Sequence, residues 1–458
     1  MKRLLLRYTA RLPEPLRDLL LGRGEDARAG LGALFSFGIR VASAGIAFAS
    51  HVLLARWLGA FEFGVYTYVW VWVNFLGLLC TAGLSIAAVR FLAEYRKPED
   101  HGLARGFLRF GRLVSLGAGF VAAGLGILAI RYVPALREDH YATAMMIGLL
   151  ALPAMALTDF QDGVGRARSW IGLAFLPPYI LRPLLILVLV AIALVTLGER
   201  SAVLAAASLT IAAWLTAGVQ FVLQHRRFVR ELKPERPVMQ GRQWIAVSLP
   251  MLIMDGFTLL MLNLDVMLLE LFVSPDRIAV YFAAARTITL IAFIHFAVTA
   301  VAMPRFATAY AERDVERAAR QLARFRNWTL WPSLAAAAVL LLAGRLILSM
   351  FGAEFVEGWP LMFVLTIGYL ARAAAGPAES MLVVSGHQNH TAMVTGLAAL
   401  VNGLLNLLLI PSMGLMGAAT ATTTAFVLQA GLFALAARRV LQEGFDGPAP
   451  AETAGGRA

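Results

Sequence analysis

The sequence predicts an all-α integral membrane protein of about twelve transmembrane helices in two pseudo-symmetric six-helix halves, and three observations carry that prediction. Of the 458 residues, 59% are hydrophobic and only 15% charged, against roughly 25% charged in soluble globular chains. Apolar runs of spanning length recur along the whole chain, each near the roughly 20 residues that a bilayer core demands. The 40 Lys and Arg then sort by alternating loops, 30 to one side, 6 to the other and 4 inside spans, which is the asymmetry that orients membrane proteins. A missed span would exchange the sides of everything after it, so the span count and the charge sorting support each other. Both termini are expected on the basic, cytoplasmic side.

The first run, residues 31–56, reads LGALFSFGIRVASAGIAFASHVLLAR. Ser36, Arg40, Ser43, Ala47, Ser50 and His51 fall on one side of a helix there, with Leu, Ile, Phe and Val covering the others. Small and hydroxylated residues let helices pack closely, so the serines read equally as a packing stripe. Arg40 needs a carboxylate, carbonyls, water or an anionic ligand, and it points to a water-filled cavity. Residues 1–29 hold seven basic side chains among short leucine clusters, with Pro13 and Pro15 between them. No apolar stretch there suits a signal peptide, and a basic amphipathic segment on the cytoplasmic leaflet is expected.

The second run, 64–86, places Thr67, Asn74, Thr81 and Ser85 on one face, which suits either the same cavity or hydrogen bonds between helices. Runs at 107–130, 142–160, 170–196 and 201–224 complete a first half of the chain, residues 30–224. In LPPYILRPLLIL, Arg182 precedes Pro183; the proline frees a carbonyl in the preceding turn, which the guanidinium is expected to bond. A basic connector, 225–242, HRRFVRELKPERPVMQGR, leads into a second half over 243–440.

That half holds runs at 244–272, 279–303, 328–349, 359–385, 391–410 and 414–437. Its first run carries Asp255, Asn263, Asp265 and Glu270, and its second carries Arg286. Asp265 and Arg286 then form either a structural ion pair or a division of labour, arginine holding an anion while a carboxylate takes a proton or cation. Arg372 and Glu379 share a face seven residues apart, and Asn402 and Asn406 suit interhelical hydrogen bonding. Prolines at 153, 250, 304, 332, 360 and 377 are expected to kink spans. Residues 441–458, rich in Gly, Ala and Pro, are expected to form a disordered cytoplasmic tail.

A gapless shift of 215 residues superposes the halves. Val65-Tyr66 falls on Val280-Tyr281, Arg90-Phe91 on Arg305-Phe306, Tyr95 on Tyr310, Leu53-Leu54 on Leu268-Leu269, and Arg40 on Asp255. An even number of helices per half makes the repeats parallel.

Absences narrow the chemistry. The sequence has no zinc spacing, RNP-like motif or basic recognition helix, so its net charge of +12 is not a nucleic-acid signature. It has no P-loop, no HExxH and no Cys/His cluster, so neither an enzyme nor a metal or other cofactor is expected. The lone Cys80 lies in an apolar run and reads as a packing residue.

Several stretches resemble the polysaccharide transport family: LLARWLGAFEFGVYTYVWV, TAGLSIAAVRFLAEY, SLPMLIMDGF with NLDVMLLE, VYFAAARTITLIAF, MPRFATAYAE and LVNGLLNLLLIPSMGLMGAATATTT. That family includes O-antigen and exopolysaccharide flippases and belongs to the superfamily of lipid II flippases and multidrug and toxin extruders. The resemblance covers about residues 30–440. It implies two bundles around a central cavity that opens alternately to each face of a bacterial inner membrane. The implied cargo is an undecaprenyl-diphosphate-linked oligosaccharide, with membrane lipid, a glycan polymerase and chain-length or export proteins as partners. The positively lined cavity of such flippases fits Arg40 and Arg286, and its acidic positions fit Asp255 and Asp265 as the coupling-ion or ion-pair positions; the polar faces and charges read above add Arg372, Ser43, His51 and Asn74 as substrate-binding candidates. Lipid II flippases generally carry two further helices and more arginine in the first span, which weighs against peptidoglycan precursor as cargo.

Three other readings stand beside this one. A multidrug or cation extruder should keep an acidic cavity, whereas here the intramembrane arginines match or outnumber the carboxylates. A membrane-embedded glycan polymerase should show a large extracytoplasmic loop or a catalytic carboxylate motif, and neither is visible in the sequence. In a non-transporting assembly subunit the polar stripes would serve packing alone.

Overall fold

The computed structural model describes residues 25–133 and 140–445, with side chains from 38 onward except those of residues 40 and 41. The main helices follow one another as twelve units, several of them broken, and no strand occurs among the described residues. They are α1 (Glu25–Leu58), α2 (Ala60–Cys80, resuming as Leu84–Glu94), α3 (His101–Tyr132), α4 (Ala142–Leu149 and Leu152–Ala167), α5 (Ile171–Leu197) and α6 (Ala202–Glu231). The second six are α7 (Gly241–Leu269), α8 (Pro275–Thr289 and Ala292–Ala311), α9 (Val315–Leu342), α10 (Trp359–Ala375, resuming as Ala378–Val384), α11 (Gln388–Met413) and α12 (Leu415–Glu443). Among the described residues, 9 spans are long and apolar enough to cross a bilayer, or 10 with the bent pair of α4, and α1 adds a shorter apolar stretch, Ala42–Leu58. A multi-pass membrane protein follows.

Corresponding helices of the two halves start between 213 and 217 residues apart, so the repeat seen in scattered matched residues is carried by the helix boundaries. The breaks also have local causes. In α2 the chain turns through Ala82 (φ 49) and Gly83 (φ 74), where a Cβ at Gly83 would stand 2.1 Å from the Ser248 carbonyl oxygen. Only glycine fits that approach. α4 bends by 45° ahead of Pro153, α5 contains a π turn at Pro177–Leu181, and α10 breaks at Gly376-Pro377. Pro250, Pro304 and Pro332 sit inside helices. Pro360 does not: it occupies the first turn of α10, where its missing N–H costs nothing.

The face carrying the α2–α3, α4–α5, α6–α7 and α8–α9 loops holds most of the arginines and is called the basic face. Here α7 reaches out of its own half. Trp244, fully buried, packs at 5.4 Å centroid distance on both Phe107 and Phe110 of α3, and its Nε1–H donates to the Tyr95 hydroxyl at 3.2 Å. The connector follows the same surface, Val238 N–H donating to Gly102 O at 2.9 Å. α6 runs on to Glu231, so the first part of the predicted connector is helical. At the other end of the chain, Phe445 packs edge-on against Tyr310 at 5.0 Å, past the point where a disordered tail was expected to begin. Residues 1–24 and 446–458, where the basic amphipathic segment and most of that tail were predicted, lie outside the described residues.

On the opposite face the halves are joined by close contact. α2 packs on the first segment of α8, with Gly64 so near that a Cβ there would lie 1.8 Å from the Pro275 carbonyl oxygen. Phe63, fully buried, meets Phe282 at 6.1 Å and Phe355 at 6.2 Å. Arg56, at the end of α1, donates from Nε to Met350 O at 2.7 Å and from Nη2 to Ser349 O at 2.9 Å.

Candidate functional site at the seam between the lobes

The polar centre of the second lobe is built on Asp265 of α7. One carboxylate oxygen accepts the Val266 N–H at 2.8 Å, and the other accepts the Tyr281 hydroxyl of α8 and the Thr422 hydroxyl of α12, the latter at 3.3 Å. The Thr422 Oγ1 also lies 3.4 Å from Asn402 Oδ1. A hydroxyl has one proton to give, so Thr422 can serve the carboxylate or the amide but not both. Asn406 donates to Asn402 Oδ1 at 2.8 Å, which extends the network along α11. Asp265, Asn402 and Asn406 are all buried.

Arg286 stands one helix turn past Tyr281 and does not close an ion pair with Asp265. Its Nη2 donates to Asn263 Oδ1 at 3.1 Å, and the guanidinium lies 4.7 Å from the centre of the Phe282 ring. A pocket of about 20 Å³ touches Asn263, Asp265, Arg286, Thr289, Tyr369 and Thr422, room for about one water molecule. Thr289 and Tyr369 share a hydroxyl hydrogen bond of 2.8 Å on its far wall. His51 of α1 reaches this region from the first lobe, its ring 5.0 Å from that of Phe282 and its Nδ1 buried with no hydrogen-bond partner. The structural ion-pair reading of Asp265 and Arg286 is therefore corrected: both charges are held by neutral partners, which leaves the guanidinium free of a carboxylate within 4.0 Å among the described residues.

The other predicted residues are more scattered. Ser43 is buried on α1, and the side chains of Arg40 and Ser36 lie outside the described residues. Asn74 donates to the carbonyl of Trp70 in its own helix at 2.7 Å. The break in α2 divides the stripe Asn74 belonged to, and Ser85 beyond the break donates to Asp159 O at 2.6 Å. Asp255 is exposed on α7, and the charge acting on it is Arg166 of α4, itself paired with Asp162 at 3.2 Å. Arg372 lies 4.9 Å from the Phe426 ring centre, and the break at Gly376-Pro377 puts Glu379 on a separate helical segment.

Arg182 corrects another expectation. It donates not to a carbonyl but from Nη1 to Met155 Sδ at 2.7 Å, with the Trp70 ring centre 5.5 Å away. The π turn at Pro177–Leu181 ends on it, and Asp159 of α4 is the carboxylate that acts on it.

The sequence profile of a family described as polysaccharide biosynthesis protein matches residues 30–309, more than half of the chain. The chain belongs to this family. Among curated proteins no sequence matches it. Solved structures share its fold at low identity. An inward-facing multidrug resistance MATE family transporter of the MOP superfamily has a TM-score of 0.69 at 16% identity, over 89% of this chain and 94% of that one. The lipid II flippase MurJ, in an inward closed conformation, has a TM-score of 0.69 at 12% identity, over 88% and 87%. A MOP superfamily transporter from Pyrococcus furiosus has a TM-score of 0.66 at 16% identity, over 94% and 98%. The fold of this polysaccharide biosynthesis protein is thus that of membrane transporters and flippases.

Within this family member, sequence reasoning found Asp265 and Arg286 but not what surrounds them. Tyr281 and Thr422 were missed as site residues, and Asn402 was read only as an interhelical hydrogen-bonding residue, which its contact with Thr422 agrees with. The repeat offered a signal for Tyr281, since it is the partner of Tyr66 at a shift of 215. Thr422 lies in a run of threonines, Thr420 to Thr424, broken only by Ala421, and nothing in that run distinguishes it.

Proposed function

We propose that this protein is a flippase that moves an undecaprenyl-diphosphate-linked oligosaccharide, an O-antigen or exopolysaccharide repeat unit, from the cytoplasmic to the outer leaflet by alternating access. The observation that carries the reading is Arg286, a guanidinium at the seam of the lobes whose hydrogen-bond partner is the neutral Asn263. A diphosphate cannot cross hydrocarbon unaided, and a guanidinium fork matches phosphate oxygens bidentately. Arg372 and Arg40 are assigned the same anion-holding role along the path, and Ser43, His51 and Asn74 that of lining it. The Pyrococcus furiosus transporter lends support, because there a reverse polarity of the binding pocket suggests a different function; pocket charge is a sensible discriminator on this fold.

With the basic face in the cytoplasm of a bacterial cell, the contacts at Gly64, Phe63 and Arg56 describe a state closed toward the outside. Asp265 is assigned the coupling role, its carboxylate taking a proton or cation while Thr422 turns its hydroxyl to Asn402. Asp255, exposed toward Arg166, is the second carboxylate assigned to the cycle.

The test is the leaflet on which lipid-linked oligosaccharide accumulates in cells lacking the protein, read with an impermeant glycosidase or lectin. Retention on the cytoplasmic side, reversed by the wild-type gene and not by Arg286→Ala protein inserted at normal levels, is expected. Full outward exposure in the deletion strain overturns the proposal.

A further inference from the structure

Far from the seam, α3 and α6 enclose a groove of about 400 Å³ at the basic face. Arg105, Arg109 and Arg112 line it from α3, at spacings of four and three that put them on one helix face. They span about 10 Å along the axis at 1.5 Å per residue. None has a carboxylate within 4.0 Å among the described residues. Two of the three are moreover incompletely bonded: Nε of Arg105 and Nε of Arg112 are buried with no hydrogen-bond partner, although Arg105 Nη2 donates to Leu232 O at 3.1 Å. A buried guanidinium donor without an acceptor is costly.

The groove also orders its own wall. The Arg112 guanidinium lies 4.7 Å from the Phe221 ring centre, and Phe221 stacks on His225 at an interplanar angle of 2°. Below this level the helices turn apolar and exposed, with Leu113, Phe120 and Val121 on α3 from 58% to 61% accessible. The guanidiniums therefore sit where the exposed apolar surface of α3 gives way to the basic face.

We infer that this α3–α6 groove is a binding site for the headgroup of an anionic phospholipid, its phosphodiester oxygens taking terminal guanidinium N–H groups of Arg105 and Arg112 while Arg109 and His225 close the rim. Clustered basic side chains between helices on the cytoplasmic side recognise such headgroups. An unpaired cluster of this kind would repel itself in neutral lipid, so the site also predicts a requirement for anionic lipid in the bilayer.

Native mass spectrometry of the purified full-length protein, mixed with phosphatidylglycerol or phosphatidylcholine, tests this. Phosphatidylglycerol adducts are expected to survive activation that strips phosphatidylcholine. Arg109→Gln/Arg112→Gln should weaken them by about 30-fold, the loss of two basic side chains near an anionic surface. Arg438→Gln/Arg439→Gln, exposed at the end of α12, should leave them unchanged. His225→Ala provides a second, milder variant and should also weaken retention. Equal retention of phosphatidylcholine, or undiminished phosphatidylglycerol binding in both groove variants, overturns the assignment. Displacement by inorganic phosphate at physiological concentration would make this a small-anion site, which overturns it too.

Discussion

Gly64 offers the most direct way to interrogate the closed face. A methyl group there has no rotamer to escape through, because the Cβ position is set by the backbone. At 1.8 Å from the Pro275 oxygen, the contact must open by about 1.6 Å to reach an ordinary separation near 3.4 Å. Overpacking of this kind costs about 1–3 kcal/mol when neighbours must shift. Because α2 and α8 belong to different halves, the strain falls on the closed arrangement and vanishes when the halves separate. The helix propensity gained by replacing glycine with alanine, about 1 kcal/mol, is common to both arrangements and cancels. Gly64→Ala should therefore shift the closed-to-open ratio on this face by about 5- to 150-fold. Spin labels at Phe61 and Leu271, 44% and 61% exposed, in a Cys80→Ser background, would report it by pulsed dipolar spectroscopy in lipid. The short-distance population should shrink in Gly64→Ala. An unchanged distribution in folded protein would falsify the idea that this contact holds the face shut.

Further outcomes follow from the same coordinates. Arg286→Lys, which keeps charge but loses the planar fork, should export glycan more slowly than wild type yet faster than Arg286→Ala, measured as surface glycan at matched protein levels. Asp265→Asn keeps an acceptor for Tyr281 but removes the charge, and should slow flipping in proteoliposomes by about 5- to 150-fold, the range of one coupling free energy, while abolishing its dependence on an ion gradient. Trp244→Ala should cost about 3–5 kcal/mol of stability, as deletion of a fully buried aromatic does, read by denaturant titration in micelles. Arg56→Gln, whose contacts are exposed, should change stability by less than about 1 kcal/mol but lengthen the same Phe61–Leu271 distance.

The helices were legible because hydropathy and arginine placement are carried by every residue, and the repeat because it is written twice. The site was legible only where a charge announced itself. Asp265 and Arg286 stand out in an apolar run, but Thr422 is 157 residues from Asp265 and looks like its neighbours. Stripes were also overread. Helical periodicity put Thr67, Asn74, Thr81 and Ser85 on one face, yet the turn through Ala82 and Gly83 resets the phase between them. Arg372 and Glu379 are likewise divided by the break at Gly376-Pro377, yet the Arg372 charge still acts on Glu379 across it. Arg182 was misassigned because its sulfur partner, Met155, belongs to another helix and no rule of local spacing leads to it.

The burial of Trp244 among residues of α2 and α3 makes α7 common property. Its first turns are anchored in one lobe and its last turns, with Asp265, in the other, and Pro250 lies between. In the proposed cycle, the rocking that separates the lobes is transmitted along a single rod whose interrupted hydrogen bonding at the proline gives it a place to flex. Severing the chain in the 232–240 connector would not yield two self-sufficient halves: the first would lose the indole that seals its basic end, and the second would carry that indole into water.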